Sequence, residues 1–267
     1  MARLASATAW PVAARAQVGA GMTGPQLVLA ARNNAIWCDA ICRAHELPGE
    51  FHDGYWLTRR GTPRFYPDVV TTAGAEAAPA QIAAITDLVH SNRQRDWFVK
   101  DSFNCLRLET LGFRPLLDAE WIVASSAGPD TASQPAQPPA VVRDEAALRA
   151  WELSWARAGG ATAPDALPRV FKPALLADAD IRFVSIQGER ADSGGGILNR
   201  GAGVVGVSNV FGTRLDRVWR DLITCAGETF PGLPLIGYEH GDDLSVAKAA
   251  GFAPIGTLRI WRLGRAH

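Results

Sequence analysis

The stretch that decides the fold runs from Gly203 to Leu263 and reads GVVGVSNVF-GTRLDRVWRDLITCAGETF-PGLPLIGYEHGDDLSVAKAAGFAPIGTLRIWRL. Gly203 to Phe211 is rich in valine and apolar on both faces, which predicts a buried strand. Leu215 to Thr229 places Leu215, Val218, Trp219 and Leu222 on one helical face. Leu233 to Glu239 reads as a strand, Asp242 to Ala250 as a helix, and Phe252 to Leu263 as one or two closing strands. Outward from this block toward the N-terminus, Ile181 to Gly188 predicts a strand. Asp192 to Gly195 predicts a turn, and Ile197 to Arg200 the returning strand. Leu167 to Ala177 predicts a helical segment, and Asp144 to Arg157 an amphipathic helix with Asp144 as its N-cap. The class is α/β, with strands and helices in alternation.

Further out lies SSAGPDTASQPAQPPAVV, residues 125–142, which is rich in Ser, Pro, Ala and Gln and has no core-forming pattern. It predicts a linker stiffened by Pro135, Pro138 and Pro139. The halves on either side, 25–124 and 143–267, are each of domain size. Residues 1–24 show no convincing periodicity and predict a disordered extension, with Met22 as a candidate start. Pro11 and Arg15 interrupt what would be the apolar core of a signal peptide.

The two halves share a pattern. WFVKDSFNCLRLETLGFRPLLDAEWI and LIGYEHGDDLSVAKAAGFAPIGTLRIW each read as strand, helix, Gly-Phe and final strand, with Gly112 and Gly251 offset by 251 − 112 = 139 residues. Trp37 and Ile41 resemble Trp151 and Trp155 at an offset of 151 − 37 = 114. The 25-residue difference predicts a tandem duplication whose first copy lacks a β-hairpin present in the second.

Composition narrows the function. Lys plus Arg equals Asp plus Glu, 27 against 27, so no overall basic field attracts nucleic acid or an anionic membrane. No apolar run reaches the ~18 residues of a membrane span. Cys38, Cys42, Cys105 and Cys225 form no CxxC pair and no zinc-site spacing, so no metal site is expected. Cys38 and Cys42 fall one helical turn apart, where buried cysteine acts as a small hydrophobe, and the usage fits a reducing cytoplasm. Tyr55, Trp56, Arg59, Arg60, Arg64, Phe65 and Tyr66 mix aromatic and cationic groups in one loop, suited to a ligand face or to a domain interface.

The element order of the second half resembles the GNAT superfamily of acyl-CoA-dependent N-acyltransferases, with an incomplete copy in the first half. The specific matches are VSNVF, similar to that fold's fourth strand, and LIGYE followed by the helix into Gly251-Phe252. The resemblance implies a mixed sheet flanked by helices, duplicated in tandem. It implies acetyl-CoA or another acyl-CoA, with the pantetheine arm along Val207, Ser208, Asn209, Val210 and Phe211. It places the phosphates at Gly212, Thr213, Arg214 and Arg217. This segment lacks the family's two-glycine phosphate loop, so the two arginines stand as charge-assisted substitutes. The tyrosine that many family enzymes carry four residues before the Gly-Phe glycine is Ala247 here, and Leu108 in the first half. The frequent asparagine eleven residues before that glycine is replaced by His240 and Asp101. Glu239 and His240 end the strand beside the implied cleft as candidate bases. Neighbouring strand residues point to opposite faces, so only one of them lines it. Ser208 and Asn209, polar in an apolar strand, need a partner from the ligand or from the protein. The expected activity is acyl transfer to an amine of a small molecule or protein. The competing expectation, from the missing tyrosine and loop, is a non-catalytic GNAT-like protein that binds a small ligand or partner.

Overall fold

The computed structural model describes residues 24–92, 94–125, 138–187 and 193–265. The stretch 1–23 and most of the linker, 126–137, lie outside the described residues. The first half runs α1 (Pro25–Ala44), β1 (Glu50–His52), β2 (Tyr55–Leu57), β3 (Val69–Thr71), α2 (Ala78–Ser91), β4 (Trp97–Asp101) and β5 (Arg114–Ala124). The second runs β6 (Ala140–Val141), α3 (Glu145–Ala158), β7 (Ile181–Gln187), β8 (Ser193–Gly201), β9 (Val204–Gly212), α4 (Leu215–Thr229), β10 (Leu235–Glu239), α5 (Gly241–Ala249) and β11 (Ala253–Leu263).

Among the described residues the strands join one sheet, in the order β1-β2-β3-β4-β11-β5-β10-β9-β8-β7-β6. Two pairings are parallel, β3 with β4 and β9 with β10; the rest are antiparallel. The centre is interleaved. β11 of the second half lies between β4 and β5 of the first, and β5 lies between β11 and β10. Each half's closing strand therefore hydrogen-bonds to the other half's strands.

The Gly-Phe turns that precede β5 and β11 have the same hydrogen bonds. Gly112 (φ 86°) donates to Glu109 O at 3.0 Å and Phe113 to Leu108 O at 3.2 Å. Gly251 (φ 104°) donates to Lys248 O at 3.0 Å and Phe252 to Ala247 O at 3.2 Å. This is a helix-ending motif that requires a left-handed residue, which glycine adopts without a Cβ penalty. Phe113 and Phe252 then drop into separate cores on their own halves.

α1 and α3 cover one face of the sheet over Ile181, Phe183, Ile197 and Phe211. α4 and α5 cover the other face over Val184, Leu198, Val205 and Val207. Asp144 caps α3 by accepting from the Ala147 amide at 2.8 Å, as its sequence position predicts. α1 reaches across to the second half: Asn33 donates to Asn199 O at 3.0 Å and Gly201 O at 3.1 Å, and Asn199 donates back to Asn33 Oδ1 at 3.0 Å. Cys38 and Cys42 lie buried and unbridged on α1.

Four expectations are corrected. Residues 167–177 do not form a helix; the region holds short 3-10 turns at Pro164–Ala166 and Pro173–Ala177. Pro168 and Pro173 remove amide donors there, so a continuous α-helix cannot close its hydrogen bonds. Gly194 and Gly195 lie in β8 rather than in a turn. Trp151 Nε1 donates to Val184 O at 2.8 Å across Gly195, and any Cβ at Gly195 would strike both groups. The hairpin expected to be missing from the first half is present as β1–β2, turning at Gly54. The extra length of the second half lies instead in residues 159–180, between α3 and β7. Finally, Ala140–Val141 at the end of the linker pair with β7, because Val142 finds a buried seat beside them.

Candidate functional site

The site is built on β9. Its pairing with β10 is limited to Leu235↔Val205 and Ile236↔Gly206, after which the two parallel strands part. Gly237 sits where they separate; a Cβ there would lie 3.0 Å from Val207 O. On its other edge β9 carries an extra residue. Gly195 faces Phe211 while Ile197 faces Ser208, so three steps on β9 match two on β8. The bulge centres on Asn209, whose φ is 53°. Left-handed asparagine costs less than most residues there, and bulges re-aim side chains and backbone. Asn209 is only 2% exposed, and its Nδ2 donates to Ser208 Oγ at 3.1 Å.

Beyond Phe211 the chain enters α4, whose N-cap Arg214 makes no side-chain cap bond. The helix N-terminus leaves orphan amides and a partial positive charge. Two adjoining hollows of about 450 and 810 Å³ open there and share Ala158, Phe211, Gly212 and Leu215. Val210, Asp243 and the loop after α3 wall the smaller one; Thr213, Asp216 and Val246 wall the larger. The first half closes the smaller hollow with Arg64 and Phe65. Arg64 lies 4.6 Å above the Phe65 ring, and Phe65 meets Trp155 edge-on at 5.6 Å. The aromatic and cationic loop therefore serves both as a packing element between halves and as a cleft wall. Its Tyr66 turns inward instead, edge-on against Trp37 at 6.2 Å. Burial pushes that phenol well above its ordinary range.

The two phosphate-directed arginines are engaged within the protein. Arg214 makes a two-pronged contact with Asp216, 3.1 Å on each arm. Arg217 donates to Asp221 and to Gln187 O, each at 3.3 Å. Glu239 is 5% exposed at the end of β10, and burial raises its carboxyl above the ordinary glutamate value. His240 is the N-cap residue of α5; burial lowers its imidazole, and among the described residues its Nε2 has no hydrogen-bond partner. Neither residue is among those lining the two hollows.

The sequence places Lys100 and Asp101 at the end of the first half's matching strand, where they could meet the second half's cleft. Lys100 and Asp101 end β4 as Tyr238 and Glu239 end β10. Lys100 Nζ crosses the interleaved centre and donates to Tyr238 Oη at 3.0 Å and to Asn34 Oδ1 at 2.8 Å. It also lies 4.1 Å from the centre of the Tyr238 ring, which packs edge-on against Trp121 at 5.3 Å.

A solved structure described as a GCN5-related N-acetyltransferase from Kribbella flavida matches with a TM-score of 0.55 over 89% of this chain and 96% of its own, at 14% identity. This chain has the GNAT fold. A functionally unknown conserved protein from Staphylococcus epidermidis matches with a TM-score of 0.50, over 79% of this chain and 84% of its own, at 10% identity. The sequence matches no family model and no curated protein. The Kribbella match covers too much of the chain to be confined to one half, so the GNAT likeness extends through both. Among the described residues, no helix is long and apolar enough to cross a membrane, and no group of three His, Cys, Asp or Glu stands together to hold a metal.

Proposed function

We propose that the chain is an acyltransferase that moves an acetyl or longer acyl group from CoA to an amine of a small molecule or protein. The observation that carries this is the Asn209 bulge beside the parting of β9 and β10. It leaves the β9 backbone from Val207 to Phe211 without a partner strand on the β10 side, as an edge to which an amide-bearing arm can bond. Five residues at about 3.3 Å each give a rail of roughly 16 Å. The rail leads to Gly212, Thr213 and the N-terminus of α4, where a pyrophosphate finds orphan amides. Arg214 turns to it from an exposed ion pair with Asp216, which costs little to break, and Arg217 extends to it from beside the buried Asp221. Glu239, its carboxyl raised by burial, takes the amine's proton through water. The repeated Gly-Phe turns and strand order support a tandem duplication, and four unbridged cysteines fit a reducing, cytoplasmic setting.

A second reading is a non-catalytic protein that holds a small ligand in the same cleft. Ala247 and Leu108, at the positions of the usual tyrosine, favour it. Calorimetry with acetyl-CoA and longer acyl-CoAs tests the first reading. Binding is expected at micromolar to sub-millimolar concentration. At a hundred times the dissociation constant the ligand should add about 2.7 kcal/mol of stability. No heat at millimolar acyl-CoA would leave the ligand-binding reading in its place.

A further inference from the structure

The smaller hollow is walled mainly by apolar side chains, and it carries two opposite charges. Val210, Phe211 and Leu215 close it from β9 and α4, and Leu167 from the loop after α3. Arg64 lines it from the first half and Asp243 from the first turn of α5. Among the described residues neither has an ion-pair partner. Arg64 lies over the Phe65 ring, and Asp243 bears on Glu239 and His240 through its charge alone. They do not reach each other, although one space contains both. A single exposed charge without a partner is ordinary. Two opposite ones set apart on the walls of one apolar hollow match the two ends of a dipolar molecule.

The first half's wall is held in an unusual conformation. Phe65 has φ 75°, a left-handed backbone that a bulky side chain rarely adopts. Thr62 Oγ1 donates to Tyr66 O at 2.7 Å and the Tyr66 amide to Pro63 O at 3.2 Å, which fixes the turn around it. The turn sets Arg64 and Phe65 side by side on the hollow, with the Phe65 ring against Trp155. Residues in such conformations persist where the surrounding structure over-determines them, and they gather at ligand sites. The volume of about 450 Å³ lies within the range of small-molecule sites. Asp243 also connects the hollow to the proposed base: burial raises the Glu239 carboxyl, and the Asp243 charge raises it further.

We infer that the smaller hollow is the acceptor site, and that it selects a small amine with an apolar body and a carboxylate, such as an α-amino acid with an aromatic or large aliphatic side chain. The inference rests on the acyl-CoA reading above. The ammonium is held at Asp243, close to the carboxyl that takes its proton. The carboxylate is held at Arg64, whose planar guanidinium suits a two-pronged contact with it. The apolar body packs on Phe65 and Trp155. An amine without a carboxylate leaves Arg64 unused, and a carboxylate without an amine leaves Asp243 unused. Recognition is thus divided between the halves: the second reads the group that reacts, and the first reads the group that tells one amine from another.

Three probes of one shape separate the two charges. L-phenylalanine carries both, phenethylamine only the amine and hydrocinnamate only the carboxylate. Each is titrated calorimetrically into the wild type, Arg64→Met and Asp243→Asn, with CoA titrated in parallel. In the wild type L-phenylalanine should bind about five- to tenfold more tightly than phenethylamine, the effect of a charge-assisted contact at a partly open site. Arg64→Met should remove that preference and leave phenethylamine within about twofold of its wild-type affinity. Asp243→Asn should weaken both amines and spare hydrocinnamate, a pattern that lost packing would not give. Saturating CoA should leave L-phenylalanine affinity within about twofold, since the two occupy neighbouring spaces. Equal binding of L-phenylalanine and phenethylamine by the wild type, or a preference retained in Arg64→Met, would overturn the assignment. So would binding of none of the three probes at millimolar concentration, with CoA binding intact. Competition between CoA and L-phenylalanine would give the hollow to the acyl carrier and overturn it as well. The expected probe pattern without any CoA binding would overturn the acyl-CoA reading, and with it the role of this dipolar site as an acceptor site.

Discussion

The two halves end a five-residue strand in the same way, with a polar residue and then an acid, and use them differently. In the first half the place where β3 and β4 would part is stitched closed. Ser102 donates to Thr71 Oγ1 at 2.8 Å, and β3 stops at Thr71. Asp101, fully buried, accepts from the Leu106 amide at 2.8 Å and the Cys105 amide at 3.2 Å, so its carboxylate holds the turn that leads to the 3-10 segment Glu109–Leu111. In the second half β9 continues to Gly212 past its last pair with β10, the strand bulges at Asn209, and Glu239 has no such turn to hold. The same frame therefore closes one groove with a threonine and an aspartate and leaves the other open. Among the described residues only the second half leaves a strand edge open in this way, and the first half walls the adjoining hollow with Arg64 and Phe65.

The contrast can be broken first at β8. Gly195→Ala should destabilise the second half by about 3 kcal/mol, since the new methyl meets Val184 O and the Trp151 indole together. Chemical denaturation reads this directly; a loss under about 1 kcal/mol would mean that α3 can shift away at little cost. Next, Asp101→Ala should cost about 2 kcal/mol by orphaning two amides, while Asp101→Asn, which keeps one acceptor, should lose less. Equal losses would show that the turn does not depend on those bonds.

At Glu239 the comparison is read through pH dependence. Its folded carboxyl is raised above the unfolded value, so the native state holds the proton longer. Below the ordinary glutamate range both states are protonated and the residue carries no penalty. As pH rises through that range the unfolded state ionises first, and the native state loses relative stability until Glu239 itself ionises. Glu239→Gln should therefore match the wild type in acid and exceed it at neutral pH. A melting difference that does not grow with pH would mean that the carboxylate is compensated.

The smallest effect is expected at Arg214. Its exposed pair with Asp216 contributes about 0–1 kcal/mol, so Arg214→Ala should leave stability almost unchanged. It should weaken acetyl-CoA by about tenfold at low salt and by less at high salt, where the contact is screened. A salt-independent loss would place the phosphates elsewhere.

Much of this was readable along the chain. The Gly112-Phe113 and Gly251-Phe252 turns follow from hydrogen bonds that span five residues and from glycine's freedom at positive φ, so a short window suffices. The α3 cap at Asp144 and the apolar face of α4 are equally local. The VSNVF strand marked its polar pair, though not that Asn209 would sit in a bulge, because that depends on the register against β8. The 167–177 segment misled, since its apolar spacing was helical while its prolines forbade the helix.

What the sequence by itself determined is the set of elements and the motif at each of their ends, because backbone geometry and periodicity are local. What only the tertiary structure decided is the order of strands at the centre of the sheet, where β5 and β11 exchange places. That exchange brings Lys100 to within 3.0 Å of Tyr238, 138 positions along the chain. Pairing between strands so far apart is set by which faces can be buried together and by the loops that must close, and no window of neighbouring residues contains that information.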